Sequence, residues 1–160
     1  MCLLKQIRLK QVKLPSLALL CLVFLSIFSL SAHAIEFRSV LPPKAILFDA
    51  PSAEASKTYI LSAGYPVEII VNLGQWLKVR DQLGGLSWVE SKNLAAKRMV
   101  LVTSKTDIKT AEDSASALVA TVEKDVVLEL LSPNNKNGWI KVKHRDGLVG
   151  FVQASDVWGF

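Results

Sequence analysis

Beyond residue 34 the chain alternates short apolar and polar positions, and it does so twice. "GQWLKVRDQLGGLSWV" runs from Gly74 to Val89, and "GWIKVKHRDGLVGFV" from Gly138 to Val152. Sliding the chain against itself puts Ala50 on Ala111 and Glu68 on Glu129, a shift of 61. Past two extra residues in "SPNNKNG", read as a loop, Trp76 falls on Trp139, Val79 on Val142, Gly84 on Gly147 and Val89 on Val152, a shift of 63. Solenoid repeats run at roughly 20–50 residues, so this longer period suits a tandem pair of small domains.

Each copy reads as β. "PVEIIV" (Pro66 to Val71) matches "VVLELL" (Val126 to Leu131), both rich in branched residues and alternating around a glutamate. In "WLKVR" and "WIKVK", Leu77 and Val79, or Ile140 and Val142, point one way. Trp76, Lys78 and Arg80, or Trp139, Lys141 and Lys143, point the other. Asp146-Gly147 and Gly84-Gly85 are pairs favoured in tight hairpin turns. "AEASKTY" and "AEDSASALVA" come nearest to a helical period, but their Ala/Ser content fits a long loop as well. The expectation is all-β: two small barrels of about five short strands. They occupy residues 35–94 and 100–160, with a linker at 95–99. A domain of about sixty residues buries only around 60% of its unfolded surface, so the copies should pack on each other.

The first 34 residues have a different pattern. Lys5, Arg8, Lys10 and Lys13 precede an apolar run from Leu17 to Leu30, and small residues follow at Ala32 and Ala34. These are the three parts of a secretory signal peptide cleaved after Ala34. The apolar run has 14 residues, whereas a bilayer span takes about 20. Both cysteines, Cys2 and Cys21, lie in this segment, so the remainder has neither disulfide nor thiolate. The segment also takes 4 of the 19 basic residues and none of the 14 acidic ones, leaving a balance of +1. A nucleic-acid protein needs a clustered basic surface, and this composition does not supply one.

The stretch "LFDAPS" (Leu47 to Ser52), the strand entry "GYPVE" (Gly64 to Glu68), and "W-[LI]-K-V-[RK]" followed by a glycine turn and "[WF]-V" resemble the bacterial SH3 (Src-homology-3-like) domains of exported cell-envelope proteins. The likeness covers essentially all of the chain beyond the signal, in two copies. It implies SH3-like barrels with a ligand groove near the tryptophan of that pattern, without a cofactor. Glu90 stands where peptide-binding eukaryotic relatives carry proline, and Leu94 where they carry tyrosine. In the second copy "IKTAE" replaces "LFDAP". Polyproline recognition therefore does not carry over, and the second copy reads as the one closer to pure architecture.

Beyond the signal there is one histidine, His144, read as a solvated turn residue without a nucleophile or an orienting partner. Asp49 and Asp81 read as isolated loop and turn carboxylates, and no cluster has metal-ligand spacing. The expectation is a non-catalytic protein. For binding, Trp76 with Lys78 and Arg80, and Trp139 with Lys141, combine an aromatic plate with cations that could meet carboxylates. Phe48, Tyr59 and Tyr65 are further candidates on the first copy; Phe48 alternates out of the face that Leu47 occupies. Trp88 and Phe151 are expected to fill the core, and Trp158 and Phe160 to pack back across the seam between copies. The expected function is a periplasmic or secreted binding module that contacts peptidoglycan or its stem peptides. The alternative is an envelope adaptor that docks a protein partner through strand edges or the tryptophan faces.

Overall fold

The computed structural model describes residues 35–160, so the signal-peptide reading lies outside the described residues. These residues form two antiparallel sheets and no α-helix. The first contains β1 (Phe37–Val40), β2 (Lys44–Phe48), β3 (Lys57–Ser62), β4 (Pro66–Asn72), β5 (Trp76–Arg80), β6 (Leu86–Glu90) and β7 (Leu94–Ala95). The second contains β8 (Met99–Val102), β9 (Thr106–Lys109), β10 (Leu118–Val122), β11 (Val127–Lys136), β12 (Trp139–Lys143), β13 (Val149–Gln153) and β14 (Val157–Trp158). Strand order is β3-β2-β6-β5-β4-β1-β7 in one and β10-β9-β13-β12-β11-β8-β14 in the other, the same topology twice.

The equivalence extends to register. Ile46 pairs with Ile60 as Asp107 pairs with Thr121. Glu68 pairs with Arg80 as Glu129 pairs with Lys143. Pairing slips at the same place in both copies, between Ile69 and Val71 and between Leu130 and Ser132. Each sheet has seven strands where about five were expected. "AEASKTY" and "AEDSASALVA" end in β3 and β10 instead of being loop throughout, and a one-turn 3-10 helix returns β7 and β14 to the sheet. "SPNNKNG" is likewise strand rather than loop: β11 runs on to Lys136, which pairs with Trp139. The chain turns on Asn137 and Gly138, both at positive φ (52° and 82°), as a two-residue Asn-Gly hairpin requires.

Each copy encloses its own core. Val40, Ala45, Leu47, Val67, Leu77, Val79, Val89 and Leu94 build the first. Val100, Val102, Ile108, Leu128, Ile140, Val142, Val152 and Val157 belong to the second. Strand alternation puts Ser87 and Val89 inside, so Trp88 between them faces outward, half-buried. Phe151 does the same in the second copy, correcting the expectation that these two rings fill the cores. Phe48 departs from expectation in the opposite sense: it is buried, because pairing with β3 slips between Leu47 and Phe48 and the ring packs on Trp76.

The seam between copies is aromatic and hydrogen-bonded. Trp158 meets Phe37 edge-on at 5.1 Å, so the closing strand of the second copy covers the opening strand of the first. The Arg98 guanidinium lies over the same Phe37 ring at 5.6 Å and donates to the Gly159 carbonyl at 3.3 Å. The connecting residues are tied on both sides. Ser39 Oγ donates to the Lys97 carbonyl at 2.7 Å, and the Leu130 amide donates to the Arg98 carbonyl at 3.1 Å.

Candidate functional site

The six sequence candidates on the first copy do not form one site. Trp76 and Phe48 meet edge-to-face at 5.4 Å, an aromatic pair that spends both rings on each other. The Lys78 ammonium sits 5.9 Å from the centroid of Trp88. Arg80 is taken up by Glu68 across the β4–β5 pair: Nε donates to Oε2 at 2.8 Å and Nη2 to Oε1 at 2.6 Å. That bidentate bond raises the guanidinium pKa above its ordinary value and leaves Arg80 poorly placed to meet a ligand carboxylate. Tyr65 packs against the core, and its hydroxyl accepts the Gln82 amide at 3.4 Å. Burial pushes its phenol up; the Gln82 bond opposes that, and Asp81 and Asp125 add to it. Tyr59 stands apart, 60% exposed on β3.

The second copy is built differently at the equivalent place. Trp139 is buried at the base of a cavity of about 430 Å³, which Lys105, Thr106, Asp107, Lys109, Ser114, Thr121, Gln153 and Asp156 also line. Lys109 replaces Phe48 here, as the pairing of Phe48 with Trp88 and of Lys109 with Phe151 shows. The two carboxylates are held by threonines. Thr106 Oγ1 donates to Asp156 Oδ2 at 2.6 Å, and Thr121 Oγ1 donates to Asp107 Oδ1 at 2.7 Å. Lys109 Nζ lies 3.6 Å from Asp107 Oδ2 with its side chain 18% exposed. Lys105 at the rim donates to Glu123 Oε1 at 2.6 Å, which raises its pKa. Two lysines, of which Lys105 is already paired with Glu123, and two oriented carboxylates thus line one cavity with Trp139, an arrangement suited to a small polar ligand carrying charges of both signs.

Lys141 lies outside this cavity, 5.7 Å from the Phe151 ring, matching Lys78 over Trp88. His144 is not the solvated residue expected. Its side chain is 17% exposed, and Nδ1 accepts the Asp146 amide at 3.3 Å. Asp81 Oδ1 accepts the amides of Leu83 and Gly85, and Asp49 Oδ1 that of Ser56, so both carboxylates organise turns. Among the described residues, no group of three or more His, Cys, Asp or Glu could hold a metal ion, and no helix is long and apolar enough to cross a membrane.

Sequence reasoning missed Lys105, Thr106, Asp107, Lys109 and Asp156. The signal was positional. Ala45, Ile46, Phe48 and Ile60 of the first copy become Thr106, Asp107, Lys109 and Thr121, and polar residues replacing apolar ones at fixed register mark a lined surface rather than a lost one.

Two copies of this topology, each with a tryptophan opening its fifth strand, define a tandem of SH3-like barrels. The chain belongs to the bacterial SH3 domain family, whose sequence pattern matches residues 42–95 and 109–159. A comparison with curated proteins gives no match. Among solved structures, NlpC2 from Trichomonas vaginalis is similar at 14% identity and a TM-score of 0.37, covering 81% of this chain and 50% of that one. NlpC1 from the same organism matches at 14% identity and 0.37, covering 81% and 48%. An NlpC/P60 family protein from Bacillus cereus matches at 15% identity and 0.35, covering 78% and 56%. The chain spans about half the length of these structures.

Proposed function

We propose that this protein is an exported, non-catalytic binding module of the bacterial cell envelope and that its second copy holds stem peptides of peptidoglycan. The observation that carries the reading is the Trp139 cavity, where Lys109, 3.6 Å from Asp107, shares one lining with Asp107, Asp156 and Trp139, while Lys105 is engaged by Glu123. Stem peptides are short, polar and carry both carboxylates and amines, which these groups complement. Membership of the bacterial SH3 family supports an envelope setting. The first copy serves as a brace in this reading, since Trp76 and Arg80 already have partners within it.

Co-sedimentation with purified sacculi tests this, using residues 35–160 and the variants Lys109→Phe, Trp139→Ala and Trp76→Ala, each checked for folding by circular dichroism. Binding should fall at least tenfold in Lys109→Phe, about the effect of losing one or two charged contacts. It should persist in Trp76→Ala. Equal binding by folded Lys109→Phe and the parent would overturn the proposal, and release of soluble fragments from sacculi would overturn its non-catalytic part.

A further inference from the structure

The outer strands of the two sheets, β3 and β10, occupy the same edge in the same register; both expose apolar side chains, and they differ in the charges around them. On β3, Tyr59 and Ile60 are 60% and 63% exposed. With Ile46, Lys57 and Thr58 they line a groove of about 450 Å³. The equivalent residues of the second copy are Ala120, Thr121 and Asp107, and the Thr121 hydroxyl is bonded to Asp107. Lys44 opposes Ser62 at one end of β3, and Lys57 begins the other. Among the described residues neither lysine has an acidic partner, whereas Lys105, at the position of Lys44, is paired with Glu123. The β10 edge, which exposes Leu118, has its threonine bonded and its cation paired; the β3 edge keeps Tyr59 and Ile60 exposed between two unpaired cations. An outer strand of that kind is a template for another strand unless something covers it.

We propose that β3 is a docking strand for an extended segment of a partner protein, apolar and branched in its middle and acidic at both ends. The segment adds to the first sheet as an eighth strand. Its main chain bonds to the free edge of β3, its apolar side chains enter the groove beside Tyr59 and Ile60, and its acids meet Lys44 and Lys57. Charge argues against a second copy as the occupant. β3 contains no acid, so antiparallel self-pairing would bring Lys44 and Lys57 of each chain towards lysines with nothing to neutralise them. This inference is independent of the wall-binding reading, whose site lies on the other copy.

The probe is a synthetic peptide of alternating valine and threonine with two glutamates at each end. A charge-reversed peptide with lysines, and a peptide with proline at the central positions, serve as controls. Titration of the protein with the glutamate peptide should give saturable binding with hydrogen-exchange protection confined to residues 57–62. The proline peptide should not bind, because it lacks the amides that pair with the edge. Ile60→Lys should abolish binding. Lys44→Glu/Lys57→Glu should weaken it by about fivefold to tenfold, as expected for two exposed charge pairs, and should favour the lysine peptide instead. Failure of the glutamate peptide to bind, or binding without protection at β3, would overturn the proposal. So would a dimer of the parent protein that Ile60→Lys dissolves, since the occupant would then be a second copy. Sacculus binding should be unchanged in Ile60→Lys, so failure of one proposal is distinguishable from failure of the other.

Discussion

The two copies fold alike and differ where their strands face outward. Both bury a branched aliphatic core of the same plan, with Leu77 and Ile140 fully enclosed at matching positions. Around Trp76 the first copy places an aromatic ring, and around Trp139 the second places a lysine and two aspartates bonded to threonines. At the outer strand both copies expose apolar residues, Tyr59 and Ile60 in one and Leu118 in the other, but among the described residues Lys44 and Lys57 of the first lack the acidic partner that Lys105 of the second has in Glu123. Duplication therefore preserved the inward pattern, which the barrel needs, and released the outward one. A position can leave one chemistry by entering another.

This comparison can be broken most severely at the seam. Phe37→Ala removes a buried ring that Trp158 and Arg98 both contact, and it should cost about 3 kcal/mol. Calorimetry should show one transition for the parent protein and a lower one for the variant. Two separate transitions in the parent would mean that each copy stands alone. A middle-sized effect tests why the copies differ inside. Gly150 of the second copy occupies the position of Ser87 in the first, and a Cβ there would come within 2.5 Å of the Lys109 carbonyl and of Ile108 Cγ2. Gly150→Ser should therefore destabilise by about 1–3 kcal/mol, the usual range for overpacking. Ser87→Gly should cost less, because it creates no overlap and forfeits the Thr58 hydroxyl contact at 3.3 Å together with about 0.5–1 kcal/mol of backbone entropy. Denaturant midpoints of the two variants would reverse that order if the spacing of β9 and β13 were elastic.

The smallest effect is in alkali and belongs to the first copy alone. Burial raises the Tyr65 phenol pKa above its unfolded value, so the fold favours the neutral form. That stabilisation is fully present below pH of about 10 and is lost as pH rises through the folded value. Tyr65→Phe should blunt the loss of stability in that window and leave the neutral-pH slope unchanged. A variant with the same alkaline profile as the parent would remove Tyr65 as its source.

The repeat, the all-β class and the hairpins at Gly84 and Gly147 were legible because glycine turns and strand alternation are local. β3 and β10 were not, since Ala and Ser obscure where strand begins, and pairing with β2 and β9 decides it. Trp88 and Phe151 were misassigned by size. Their neighbours Val89 and Val152 already fixed the parity, and a ring on the wrong parity faces outward whatever its hydrophobicity. The Trp139 cavity could not be assembled from sequence because Lys105, Asp107, Trp139 and Asp156 converge only through sheet register and the 3-10 turn. Asn137-Gly138 was legible in principle, being the strongest short hairpin signal in the chain.

Phe37 waits for a residue 121 positions later before its ring is covered. A chain made from one end to the other therefore passes through a stage in which the first barrel has formed and one face of it stays open. β14 is the strand that shuts it. Emergence of Trp158 and closure of the hydrophobic seam become a single event, so a chain cut short before β14 announces itself by the aromatic surface it leaves in water.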